Sequence, residues 1–284
     1  MPVDTPEPKL TPEIPPEPAA PASTPPDTVP ELFHQEAPIP RRPWGFWALV
    51  LLVIFSLFAL ALSSLLTFAG YHVLRPVFGW HLTPDNLRTN AFFNIAFQSI
   101  LYAILFCYLY ILVVMYYRLR FWSGLGWRRM PPRRVLQFVL LGAALSLGIE
   151  FAPTLLPDKN KFPLVQLFSS PAAAYALALF AILIAPPIEE LLFRGVLFAF
   201  FERLGIRFAV AATALLFAGL HLQEYQGAWN HALLILIVGL VFSLARGLTG
   251  SLAPSIVLHM SYNATQMVVL FLASDHFRSI PGSG

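Results

Sequence analysis

Ala185-Pro186-Pro187-Ile188-Glu189-Glu190-Leu191-Leu192-Phe193-Arg194-Gly195 sets two adjacent carboxylates inside a run that is apolar from about residue 172 to 204. An acid at the centre of a membrane helix costs roughly 2.5–3.5 kcal/mol on insertion scales, so the default reading of such a residue is functional. The proline pair removes helical hydrogen bonds and clashes with the preceding turn, so it must kink or divide the span. Glu189 and Glu190 are therefore expected in the first turn or so of a new helical segment, where the helix dipole favours anions.

The surroundings support a membrane setting. The 284 residues are 57% hydrophobic and only 12% charged, against about 25% charged in an average protein. Apolar runs recur at lengths that cross a bilayer, which takes roughly 20 residues per helix. They are continuous rather than alternating, which selects helices over a transmembrane barrel. The fold class is all-α, a polytopic transmembrane helical bundle of about seven to eight spans. The spans are expected near 44–70, 91–117, 135–156, 172–204, 207–222, 230–245 and 253–273, within a membrane domain over 44–274. The segment Arg246-Gly247-Leu248-Thr249-Gly250-Ser251 reads as a turn.

Residues 1–43 hold fourteen of the 26 prolines and seven acids. Such a segment has little to bury and reads as a disordered, proline-rich acidic tail. Between the second and third spans lie Arg118, Arg120, Arg128, Arg129, Arg133 and Arg134. Six arginines in one short loop place it, and with it the N-terminus, on the cytoplasmic side. The net charge of +3 comes from such loops and is no nucleic-acid signal. The single cysteine, Cys107, excludes an intrachain disulfide and reads as a small buried hydrophobe.

Three i,i+4 pairs carry the chemistry, since residues four apart share a helix face. Arg194 can neutralise Glu190. Glu189, about 100° further round the helix, is left as a candidate general base. Phe217 with His221, and His259 with Asn263, place polar groups on otherwise apolar helices. Brought together, Glu189 can take a proton from water and His221 can orient that water. His259 and Asn263 can then donate to a developing oxyanion. The same atoms admit a second assignment, with Glu189, His221 and His259 holding zinc and a fourth position open to water. The spacing is not of the His-Glu-x-x-His kind and does not demand a metal.

These three motifs, in this order, resemble the CPBP family of intramembrane proteases, which includes the type II CAAX prenyl endopeptidases and the bacterial Abi proteins. The resemblance covers about residues 165–275, and Gly250-Ser251-Leu252 and Pro254 also fit it. It implies that Glu189, His221, His259 and Asn263 are catalytic, with Glu190 and Arg194 in support. It further implies a bacterial inner-membrane protein and a peptide substrate at the lipid boundary, with prenylation suggested by the relatives alone. The resemblance leaves zinc against a glutamate-activated water undecided.

Two other function classes fit parts of the pattern. A non-catalytic membrane interaction or immunity protein would keep the fold without needing the intact motif set. A transporter would use buried acids and histidines as a proton relay, but the internal repeat common in transporters is not visible. Asn94 and Gln98 read as interhelical hydrogen bonds rather than substrate contacts. Glu150 reads as an acid reaching the interface.

Overall fold

A computed structural model describes residues 45–152, 167–222 and 229–279. The expected tail over 1–43 and the polar loop at 223–227 lie outside the described residues. All described regular structure is helical. In chain order the α-helices are α1 (Phe46–Phe78), α2 (Pro84–Thr89), α3 (Ala91–Tyr110), α4 (Phe121–Gly124), α5 (Pro132–Phe151) and α6 (Pro171–Leu183). They continue with α7 (Ala185–Glu190), α8 (Phe198–Phe201), α9 (Ile206–His221), α10 (Trp229–Thr249) and α11 (Ala253–Ala273).

Among the described residues six stretches are long and apolar enough to cross a membrane: α1, α3 with its continuation to Tyr116, α5, Pro171–Leu204, α10 and α11. The remaining expected span, near 207–222, is α9, with only 16 residues and a length of about 24 Å. Leu215, Leu216 and Leu220 are exposed along it, as suits a face turned to lipid. Apolar outward faces recur on the other long helices, because lipid rather than water is their solvent.

The proline-bearing span divides as expected, with a different register. α6 ends at Ile184, and Pro186 sits in the first turn of α7. No acid stands in that first turn. Glu189 and Glu190 are its fifth and sixth residues, in the second turn, where the dipole effect has largely faded. Their charge must be balanced by side chains instead. Directly after them the helix widens into a π-helical stretch over Leu191–Leu197, a distortion often found at functional sites.

Two further expectations are corrected. The 246–251 segment is not all turn: α10 runs to Thr249, and Arg246 is fully buried within it. Cys107 is exposed on α3 rather than buried, because that face of the helix looks outward. Glu150, near the end of α5, is exposed as expected.

Close packing holds the helices that bear the motifs. α5 lies against α11, where Ser261 Oγ–H donates to the Val139 carbonyl at 2.7 Å. At the same contact a Cβ on Gly142 would stand 2.5 Å from the Leu258 carbonyl oxygen and 2.9 Å from Ser261 Cβ. α9 lies against α10, where a Cβ on Gly239 would stand 3.2 Å from the Ala214 carbonyl oxygen. Phe193, Phe217, Phe242, Leu258 and Tyr262 join these helices in one apolar cluster.

Gly142→Ala is therefore expected to force α5 and α11 apart, at about 1–3 kcal/mol of overpacking. A thermal melt in detergent should show a lowered midpoint. Gly148→Ala, with open space around its Cβ, should melt close to wild type. Equal melting of the two variants would refute the close contact.

Candidate active site

Glu190 anchors the site. Its side chain is fully buried, and Arg194 Nη1–H donates to its Oε1 at 2.8 Å, the pairing expected from their spacing. Arg194 is equally buried and spends its other donors locally. Nη2–H reaches the Gly239 carbonyl at 2.9 Å and Nε–H the Ser243 hydroxyl at 3.3 Å. That hydroxyl lies 3.0 Å from Thr213 Oγ1. The guanidinium carbon sits 4.7 Å from the Phe217 ring centroid, a cation–π contact that adds attraction without a counter-charge.

The same Glu190 oxygen takes a second partner. His259 Nδ1 lies 3.0 Å from Oε1. A carboxylate can only accept, so Nδ1 carries the proton and Nε2 faces away from Glu190. His259 Nε2 stands 3.9 Å from Glu189 Oε2. Phe242 covers the imidazole, with ring centroids 4.6 Å apart.

Glu189 is more open, with 17% of its side chain accessible against none for Glu190. Tyr102 Oη–H donates to its Oε1 at 2.6 Å, which leaves Oε2 on the side of His259. Tyr102 had no place in the sequence reading. The available signal was the stripe Asn94, Gln98, Tyr102, three polar-tipped residues at i, i+4 and i+8 in an apolar helix.

His221 is the last residue of α9. Its Nδ1–H donates to the Phe217 carbonyl one turn earlier, at 2.7 Å, so in the neutral ring Nε2 is the acceptor. The Phe217 ring stands 4.4 Å from His221 and 5.8 Å from His259. Asn263 Nδ2–H donates to the Ala181 carbonyl at 2.7 Å. That carbonyl is in the last turn of α6, where helix ends leave acceptors unpaired, so Asn263 ties α11 to the break ahead of the glutamates.

The expected residues share one cavity of about 220 Å³. Glu189, His221, His259 and Asn263 all line it. Asn94 and Gln98 line it too. Asn94 Nδ2–H bonds the Asn90 carbonyl of its own segment at 2.9 Å.

Residues 171–265, from the start of α6 into α11, match the family model of the type II CAAX prenyl endopeptidase Rce1-like proteins. That segment is similar to the CAAX-type proteases. No curated protein and no solved structure matches it. All three motifs fall within the matched segment.

Zinc fits the donor chemistry of the site but not its spacing. Metal-binding histidines commonly donate their second ring N–H to a carboxylate or backbone carbonyl, as His259 and His221 do. Yet among the described residues no three His, Cys, Asp or Glu side chains cluster tightly enough to hold an ion.

Removing one member of the buried pair strands the other. Glu190→Ala or Arg194→Ala should each cost about 3–5 kcal/mol, whereas a double replacement by apolar residues of similar volume should regain much of it. Denaturation in detergent checks both. A double variant no more stable than either single would count against the pairing.

Proposed function

We propose that this protein is an intramembrane endopeptidase with Glu189 as general base. The observation that carries the proposal is the unequal treatment of the two acids. Glu190 is fully buried, with one oxygen shared by Arg194 and His259, while Glu189 keeps one oxygen on a cavity shared with two imidazoles and an amide.

In the proposed reaction Glu189 Oε2 takes a proton from water, and the oxygen of that water attacks the peptide carbonyl carbon. Tyr102 fixes the other carboxylate oxygen, so the base approaches in one orientation. His221, with Nδ1 tied to its own helix, accepts a hydrogen bond from the water through Nε2. His259, through its Nε2 edge, and the second amide proton of Asn263 stabilise the oxyanion. Such preorganised donors are usually the largest electrostatic contribution to catalysis. The proton held by Glu189 then passes to the leaving nitrogen as the C–N bond breaks.

The substrate is a peptide at the membrane, with prenylation a question for the assay. The protein sits in a bacterial inner membrane, N-terminus inward by the charge of the 118–134 loop. A purely binding protein of the same fold is the competing class. It would not need a base separated from the structural ion pair.

Purified protein should cleave a lipidated or membrane-embedded reporter peptide. Glu189→Gln should lower kcat by about 10²–10⁴-fold without lowering the melting midpoint. Tyr102→Phe should lower it less. Equal cleavage by wild type and Glu189→Gln would falsify this assignment, and an inert wild type would favour the binding class. Matched peptides with and without a prenyl group read the lipid requirement. From the spacing of its ligand candidates, activity should survive a metal chelator, and a loss restored by zinc would reverse that expectation.

A further inference from the structure

The bundle has two chemically different ends. One gathers residues 118–134, 203–207 and 246–252. There Leu252 N–H bonds the Gly126 carbonyl at 2.9 Å, and Arg128 N–H bonds Ser251 Oγ at 3.2 Å. A Cβ on Gly247 would meet Ile206 at 3.2 Å, which closes the α8–α9 turn against the same end. Six loop arginines, Arg203 and Arg207 belong here. The described stretches at the other end contain Arg75, Arg88 and Arg278, against Asp85, Glu150 and Asp275.

The cavity belongs to this second, charge-balanced end. Asn94 and Gln98 stand near the start of α3, Phe168 just ahead of α6, His221 at the end of α9 and Met267 in the later part of α11; all of them line it. Towards the arginine end the cavity is floored by Glu189 and His259. Beyond them Leu125, Leu191, Leu252, Ile256 and Leu258 pack with 0–5% of their surface accessible. A groove of about 700 Å³ does open at the arginine end, beside Arg118 and Trp122, but no residue lines both spaces.

We infer that the arginine end is cytoplasmic and that the site is reached from the opposite, extracytoplasmic face. The substrate is then a peptide whose scissile bond lies at the extracytoplasmic boundary of its membrane anchor. It is not a prenylated C-terminus presented from the cytoplasm. The polar lining suits this: Asn94, Gln98, Asn263 and Gln266 supply primary amides, which both donate to and accept from an extended peptide backbone. The substrate class rests on the peptidase reading above. The sidedness rests on charge placement and packing alone, through the positive-inside rule.

The test is thiol labelling in a Cys107→Ser background, with a membrane-impermeant maleimide and sealed vesicles of both orientations. Met267→Cys reports the cavity and Ser123→Cys the arginine end. Met267→Cys should label in right-side-out vesicles and lose that labelling in inverted ones, while Ser123→Cys should show the reverse. Gln266→Cys is the second cavity probe if Met267→Cys does not fold. Cavity labelling from the cytoplasmic face, or from neither face, overturns the inference. A parallel assay adds the reporter peptide outside each vesicle type, and cleavage confined to inverted vesicles also overturns it. A protein that cleaves nothing even in detergent removes the peptidase reading, and the labelling still decides the side.

Discussion

The Oε1 atom of Glu190, shared between the Arg194 guanidinium and the His259 imidazole, is the constraint on which the remainder of the site depends. Withdrawing a carboxylate and a guanidinium from water costs several kcal/mol per ion even after relaxation, and only good geometry with further hydrogen bonds offsets that cost. The further bonds come from Gly239 and Ser243 on α10, so the ion pair also sets where α10 lies. His259 brings α11 to the same point. Three chain segments far apart in sequence are thereby referred to one atom, and the direction of His259 Nε2 follows from it. The neighbouring Glu189 can stay comparatively open because Glu190 carries the structural demand.

Much of this was legible in the sequence. Span positions follow from runs of apolar residues, and the Glu190–Arg194 pairing follows from helical periodicity, which is a local property. The grouping of Glu189, His221, His259 and Asn263 was also readable, though only through three motifs taken together. What failed was register and partnership. The proline pair moved the helix start to Ala185, one turn before the acids rather than at them. Tyr102 and Asn94 act on groups or spaces set by helix packing across some eighty residues of chain, which no local pattern encodes. Asn263 showed a similar limit: its i+4 relation to His259 was visible, but its bond to Ala181 required knowing which helix lies opposite.

Histidine placement shows the same division between local and distant causes. His221 is oriented within its own helix by the Phe217 carbonyl one turn back, so its tautomer is a local consequence of sequence. His259 takes its tautomer from an acid sixty-nine positions away. Phe217 lies against both rings, with centroids 4.4 Å from His221 and 5.8 Å from His259. A substitution at Phe217 would thus change the packing of two catalytic candidates without removing either.

The shortness of α9 has a consequence for the lipid around the protein. Its 16 residues span about 24 Å, some 6 Å less than a typical hydrocarbon core. Lipid beside its exposed leucines is drawn thinner to match, at a modest cost per ångström. A membrane-anchored peptide drifting to that flank meets the aqueous boundary about one helical turn sooner than it does elsewhere. For a substrate of the kind proposed, backbone near His221 at that flank would face water rather than hydrocarbon, where opening helical hydrogen bonds costs little.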